Sequence, residues 1–517
     1  MTQIREIQYR GSLKSCNYAC SYCPFAKRPG SRRELEKDEA ALRRLVLGLS
    51  ERASVFKEKL GILIAPYGEA LIHSYYWKEM AALSRLFFVE AVGAQTNLSF
   101  QLERCLEHYE KEGGELRKLR IWATFHPEIE QPQAFAEKCR YLSERGARFS
   151  VGAVGNPAAI ADIRKLADLL PEDIYLWINR MDGLGRPCTR EEKKGFLELD
   201  PWFFREFFWP KADASLCGSR LFLEADGRRG MCNLSASRAS KGGLISRQEE
   251  AAKEAVCRRK RCTCYLAASG RSDFPGRGVF GPYPQFRIPE PVKAWFFDAD
   301  GTLAEEGEAV SEETALWFRS LPGRKFLATS LPMEEAGKRC RRIWDCLDGG
   351  MFSSGSCVIL KEKRENGRKE AVFPLQEDTE AYLKRWAACK GGRCFHYRRR
   401  GSLLKAVVRF PGCESGGNAA KEQEKAAEEL RQALAEAGIE NVRVFAEHGR
   451  IQAVNERASK DSGAELLASW IGVSLDECGA AGDSSEDASL LLKCRVSLSG
   501  QEMRDIRNQL SRLLEEQ

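Results

Sequence analysis

Cys16-Asn17-Tyr18-Ala19-Cys20-Ser21-Tyr22-Cys23 decides how the first half of this chain is read. The cysteines follow the spacing C-x3-C-x2-C, so three thiolates on one short loop can hold three irons of a 4Fe-4S cluster. A cluster saturated by protein takes four cysteines. Here the fourth iron would stay open, as a reactive metal site needs. A structural zinc knuckle is the alternative, but zinc sites usually pair two CxxC-like elements, and the next cysteine is Cys105.

The loop follows a strand-like run, Glu6–Arg10, and from there to about residue 180 apolar runs alternate with amphipathic helical patterns. Further strands are expected at Leu60–Ala65, Phe88–Gly93, Leu119–Phe125, Ala147–Ala153 and Ile174–Ile178. Helices are expected at Leu35–Leu49, Gln131–Arg145 and Ala158–Leu169. Such alternation implies an α/β fold with a parallel sheet.

The chain has 517 residues, a net charge of +7 and 30% charged residues. That length suits two or three domains, each with its own core. The charge is spread along the chain and makes no case for nucleic acid. No apolar run reaches membrane-spanning length, and the N-terminus is too polar for a signal peptide. A soluble, cytoplasmic protein is expected. Its 19 cysteines then point to metal ligation rather than disulfides. Three lie at 16–23 and five at 217–264; the others read as small buried hydrophobes.

The C-x3-C-x2-C spacing, with Tyr22 before the third cysteine, resembles the radical S-adenosylmethionine (SAM) enzymes. The wider run YRGSLKSCNYACSYCPFAKR, Tyr9 to Arg28, resembles one family among them, over about residues 5–270. The resemblance implies that Cys16, Cys20 and Cys23 hold the cluster, and that its open iron chelates SAM. One electron from the cluster would then yield a 5′-deoxyadenosyl radical. It also implies a partial (β/α)6 TIM barrel over residues 1–200, with chemistry at the C-terminal ends of the strands.

The second strand ends in Pro66-Tyr67-Gly68-Glu69-Ala70, where these enzymes carry a Gly-Gly-Glu-like turn for the SAM amino group. An ammonium needs a carboxylate or free carbonyls, and glycine lets backbone approach closely. Only one glycine is present, and a plain strand-to-helix turn is the alternative. Thr124 and His126, at the end of the fourth strand, would face the SAM ribose or the substrate. Gly152 and Gly155 would admit the adenine, and Asn179-Arg180 end the sixth strand.

Cys217 and Cys232 bracket Gly227 as C-x9-G-x4-C, followed by Cys257, Cys262 and Cys264. This resembles the opening of the SPASM and twitch extensions, expected here over 201–270 with an auxiliary 4Fe-4S cluster. Cys217, Cys232, Cys262 and Cys264 are the favoured ligands and Cys257 the substitute; zinc is the alternative. Residues 271–291, dense in Gly and Pro, read as a linker.

After it, Phe296-Phe297-Asp298-Ala299-Asp300-Gly301-Thr302-Leu303 reads DxDGT. Phe326-Leu327-Ala328-Thr329, Lys460 ahead of a helical pattern, and Gly482-Asp483-Ser484-Ser485-Glu486-Asp487 follow in order. Together they resemble the haloacid-dehalogenase (HAD) phosphatases over 292–517, with a Rossmann-like core. The resemblance implies Asp298 as nucleophile forming an aspartyl phosphate and Asp300 as general acid and base. Thr329 and Lys460 would hold phosphoryl oxygens. Asp298, Asp483, Asp487 and the Asp300 carbonyl would bind Mg²⁺. The 131 residues from Thr329 to Lys460 leave room for an α/β cap, about 350–455, in the order of the Cof-type branch. Two departures stand out: Ser330-Leu331 where Gly-Arg is frequent, and Glu486 where Asn is common.

The expectation is a bifunctional enzyme: radical-SAM chemistry on a small metabolite, fused to a Mg²⁺-dependent phosphatase acting on a phosphate monoester. A phosphorylated small-molecule substrate and an electron donor such as flavodoxin or ferredoxin are the implied partners. A radical-SAM peptide or protein modifier, with the HAD domain used for binding or assembly, is the alternative. Only five residues precede the first strand, which leaves no leader-binding segment there and favours the small molecule. A zinc-bound scaffold with an inactive phosphatase fold is the third reading.

Overall fold

The computed structural model describes residues 5–25, 27–51, 59–208, 220–230, 262, 271, 277–362, 367–411, 417–447 and 449–515. The chain forms two compact units, Met1–Glu290 with Arg512–Gln517, and Pro291–Ser511. Both are α/β.

The first unit is built on strands β1 (Glu6–Arg10), β2 (Leu60–Ile64), β3 (Val89–Thr96), β4 (Leu119–Phe125), β5 (Arg148–Gly155), β6 (Leu176–Arg180), β7 (Arg220–Glu224) and β8 (Arg229–Gly230). The sheet order is β6-β5-β4-β3-β2-β1-β7-β8. Strands β1 to β6 lie side by side in chain order and all parallel, while β7 pairs parallel with the free side of β1. Among the described residues nothing pairs β6 with β8, so the sheet is open rather than a closed barrel. Strands β1 and β4 have the bounds read from sequence. Strand β3 runs on to Thr96, because the ladder to β4 continues past the last apolar residue.

The helices between strands start where local chemistry dictates. Ser31 and Glu34 form a capping box that opens Arg32–Ser50, and Thr189 and Glu192 do the same for Arg190–Leu199. In the first of these, Ala41, Leu42, Leu45, Val46 and Leu49 make one buried stripe. That stripe packs on the sheet face carrying Ile7, Ile62, Val92, Ile121, Val151 and Ile178.

The opposite face carries Leu63, Ala91, Trp122 and Trp177, packed with Phe286. From Arg277 onward the expected linker is therefore part of this core. Gln285 donates its backbone N–H to Glu6 Oε1 at 2.9 Å and its amide to Gly61 O at 2.9 Å. Arg287, in the left-handed region at φ 52°, stacks over Trp177 at 4.1 Å. The Gln285 contacts lie at the starts of β1 and β2, whereas Arg287 reaches Asn179 near the end of β6 at 3.1 Å.

The second unit is built on β9 (Ala294–Phe297), β10 (Arg324–Ala328), β11 (Gly349–Phe352), β12 (Cys357–Lys361) and β13 (Arg368–Val372). It continues with β14 (Arg393–Arg399), β15 (Ser402–Arg409), β16 (Val442–Glu447), β17 (Arg450–Asn455), β18 (Cys478–Gly482) and β19 (Val496–Ser499). The main sheet has the order β13-β12-β11-β10-β9-β18-β19, with β11, β10, β9, β18 and β19 parallel. A second sheet, β14-β15-β17-β16, is antiparallel. Its outer face packs on helices Glu377–Cys389 and Gly417–Glu436 through Leu383, Ala406, Val408, Leu430 and Ile451. Strands β11 to β13 belong to the main sheet, so the inserted layer begins after Val372 and not near residue 350: the β12–β13 hairpin extends the core edge by antiparallel pairing.

Candidate functional site

Parallel α/β sheets concentrate chemistry at the carboxyl ends of their strands, and in the second unit all four motifs meet there. Asp298 follows β9, Thr329 follows β10 and Asp483 follows β18, on adjacent strands. Lys460 opens helix Lys460–Ile471, capped by Ser459. The carboxylate oxygens of Asp298, Asp483 and Asp487 lie within 4.8 Å of one another. Lys460 Nζ sits 3.1 Å from Asp298 Oδ1 and 2.8 Å from Asp487 Oδ1. Asp298, Asp487, Thr329 and Lys460 are buried.

Burial raises the Asp298 pKa, and the Asp487 charge adds to that, while Lys460 opposes both. Burial also works against the charge on Lys460, yet Asp298 and Asp487 hold its pKa above the ordinary lysine value. Three oxygen donors around one point suit Mg²⁺, and a divalent ion would offset the burial and the neighbouring Asp487 charge that raise the Asp298 pKa.

Glycines admit this crowding. At Gly301, φ is +76°, and a Cβ there would overlap the Asp483 carboxylate. One at Gly482 would overlap Asp487. Thr302 Oγ1 donates to Asp483 Oδ1 at 3.1 Å. Asp300 does not join the carboxylate trio. It accepts from Arg339 Nη1 at 2.6 Å and from Gly307 N–H at 3.1 Å. Thr329 Oγ1 accepts from the Leu331 N–H at 3.1 Å.

The departures noted in the sequence acquire partners. Glu486 accepts two hydrogen bonds from Arg443 on β16, at 2.7 and 3.0 Å. Ser330 O accepts from Lys405 of β15 at 2.7 Å. Arg507 donates to the carbonyls of Gly301 and Thr302, fixing the first loop. Arg339, Lys405, Arg443 and Arg507 were not legible as site residues, because isolated basic residues carry no spacing signal.

In the first unit, the cysteine loop lies at the end of β1. Cys16 N–H donates to Arg28 O at 3.1 Å and closes the loop. Gly68 passes so near the loop that a Cβ would overlap Ser15 O, and Glu69 N–H donates to Ser15 O at 2.9 Å. The Glu69 carboxylate is buried and accepts from Thr96 Oγ1 at 2.7 Å, Asn97 N–H at 2.7 Å and Leu71 N–H at 3.0 Å. Burial nevertheless pushes its pKa up to about 7. The turn that sequence associates with an ammonium therefore sits against the loop, with a carboxylate that has no cation beside it among the described residues.

His126 Nδ1 lies 2.9 Å from Tyr22 OH and 3.3 Å from Cys20 Sγ. Burial drives the His126 pKa down to about 4, so the ring is neutral. Burial, foremost, raises the Cys20 pKa to about 11, and it raises that of Cys16 too. These thiols would become ligands only where a metal's charge replaces the missing cation. The Thr124 and Ser15 hydroxyls are buried without a partner among the described residues. The donor set fits an iron cluster with a polar ligand beside it. Of the expected auxiliary ligands, Cys262 is partly buried, whereas Cys217, Cys232, Cys257 and Cys264 lie outside the described residues.

No family model matches the chain, and no curated protein matches it. Among solved structures, a subclass IIB sugar phosphatase of the HAD superfamily aligns at 15% identity, covering 42% of this chain and 91% of its own, with a TM-score of 0.32. A haloacid dehalogenase-like hydrolase from Bacteroides thetaiotaomicron aligns at 14% identity over 42% and 92%, with a TM-score of 0.33. Another from Bacillus subtilis aligns at 13% over 42% and 92%, with a TM-score of 0.32. Among the described residues, no helix is long and apolar enough to cross a membrane.

Proposed function

We propose that the second unit is a Mg²⁺-dependent phosphate-monoester hydrolase and the first a radical-SAM enzyme acting on a small metabolite. The convergence of Asp298, Asp483, Asp487 and Lys460 at one strand-end site carries the phosphatase reading. Asp298 is the nucleophile, attacking phosphorus in line and forming an aspartyl phosphate. Lys460 and the Thr329 hydroxyl stabilise charge on the transferred oxygens. Asp300, held by Arg339, protonates the leaving oxygen and then takes a proton from the attacking water. A bound Mg²⁺ supplies charge neutralisation between Asp298, Asp483 and Asp487.

In wild-type protein with Mg²⁺, p-nitrophenyl phosphate should release phosphate, and Asp298→Asn should abolish it. Release that persists in the variant would overturn the assignment.

The radical-SAM reading is supported by Cys16, Cys20 and Cys23 on one closed loop at the C-terminal end of β1, beside the Glu69 turn. When bound, a 4Fe-4S cluster with SAM supplies a carbon-radical initiator. This chain's residues bind and orient: Glu69 receives an ammonium, and Thr124 and His126 face the ligand. Tyr22 holds His126. An auxiliary cluster held by the late cysteines, and an electron donor, complete the proposal. Anaerobically reconstituted protein should turn brown and form 5′-deoxyadenosine. Colourless material would refute this half and leave the other standing.

A further inference from the structure

Lys405 is the one cation that the inserted sheet buries against the phosphatase loops among the described residues, at 3% exposure. Its Nζ donates to Ser330 O at 2.7 Å and Ser354 Oγ at 3.3 Å. Both are neutral oxygens; Glu447 and Glu486 act on it only from farther away. Lys460 contrasts with it, having two carboxylates within 3.1 Å. A buried cation with no carboxylate in contact is costly, and burial, against the Glu447 and Glu486 charges, brings the Lys405 pKa down to about 7.

Ser330 directly follows Thr329, so Lys405 stands beside the phosphoryl position. In-line attack by Asp298 sends the leaving group out opposite the nucleophile, and the inserted sheet contributes Lys405 beside the Thr329 loop. The wall there is a turn of three left-handed residues, Ser353, Ser354 and Gly355 at φ 51°, 57° and 90°. Ser353 and Ser354 donate their N–H groups to Leu331 O at 2.9 Å and Thr329 O at 3.2 Å. Backbone strain of this kind persists where the surroundings impose it, commonly at binding sites.

A second group points the same way. Gln452, 4% exposed, donates to Glu447 Oε2 at 2.8 Å, while its own Oε1 has no partner among the described residues. The register pairs Lys405 with Val454 and Val407 with Gln452, so Lys405 and Gln452 share one face of adjacent strands.

We propose that the substrate is a phosphate monoester whose leaving group carries a second anion, a carboxylate or a phosphate. Lys405 binds that anion, and Gln452 Oε1 accepts a hydrogen bond from a neighbouring hydroxyl. The inference rests on the phosphatase reading and deepens it.

The test compares matched esters on the full-length protein. The pairs are 3-phosphoglycerate with glycerol 3-phosphate, for the carboxylate, and fructose 1,6-bisphosphate with fructose 6-phosphate, for the phosphate. A charge-assisted contact predicts that at least one anionic member exceeds its partner by about 30-fold in kcat/KM. Lys405→Met should bring that ratio to near one, and Lys405→Arg should keep most of it. Equal turnover within both pairs by wild type, or a ratio unmoved by Lys405→Met, overturns the inference while the phosphatase stands. No phosphate from any ester, p-nitrophenyl phosphate included, sinks the phosphatase reading and this inference with it.

Discussion

Arg339 reaches Asp300 across 2.6 Å and ties the helix Met333–Arg339, just beyond the Thr329 loop, to the second aspartate of the DxD motif. The same guanidinium bonds Glu335 at 2.7 Å, so its position is set by two carboxylates. In the proposed mechanism Asp300 transfers the proton, and such a group must be aimed as well as present; the contact with Arg339 would do the aiming.

Replacing Arg339 with Gln should lower kcat by about 10- to 100-fold and leave KM little changed. The loss should be largest for esters with basic leaving groups and small for p-nitrophenyl phosphate, whose leaving oxygen needs little protonation. Equal losses on both would make Arg339 a stability residue only.

Gly301→Ala puts a side chain into a left-handed position and into the Asp483 carboxylate. It should cost about 2 kcal/mol or more of stability and weaken Mg²⁺ activation. Urea melts with a Mg²⁺ titration of activity check both.

In the first unit, Gly68→Ala should displace Ser15 and with it the cysteine loop, although no ligand changes. Iron per protein after anaerobic reconstitution should fall with the mutation. Full loading would show that the loop tolerates the shift.

Alanine at Cys16, Cys20 or Cys23 should abolish 5′-deoxyadenosine formation and leave phosphate release intact, because the chain forms two units with separate cores. Joint loss of both activities, measured in one preparation, would contradict that independence.

Lys405 makes stability depend on pH with a definite sign. Its folded pKa of about 7 lies below lysine's ordinary 10.5. Below pH 7 the charge is present in both states and its burial is a full penalty. Between those values the unfolded chain holds the proton and the folded chain does not, so stability rises with pH, by at most about 1.4 kcal/mol per unit. Denaturant melts at pH 6 to 10 should show this rise, and Lys405→Met should flatten it.

Much of this was legible in the chain alone. Strands β1 and β4, the C-x3-C-x2-C loop, DxDGT and GDSxxD are local patterns, because alternation, turn glycines and short ligand spacings are set within a few residues. Glu69 could be singled out for the same reason. The role of Arg277–Ile288 was not legible. Gly and Pro there look like a linker, and only the packing of Gln285, Phe286 and Arg287 on the sheet makes them core.

The sequence by itself determined the two α/β halves and the residues at their strand ends. Tertiary structure alone decided which cations serve them: Arg339 for Asp300, Arg443 for Glu486, Lys405 over Ser330. Contacts between residues 39, 43 and 75 positions apart leave no periodic trace, since a charged contact depends on distance in space and not on spacing along the chain.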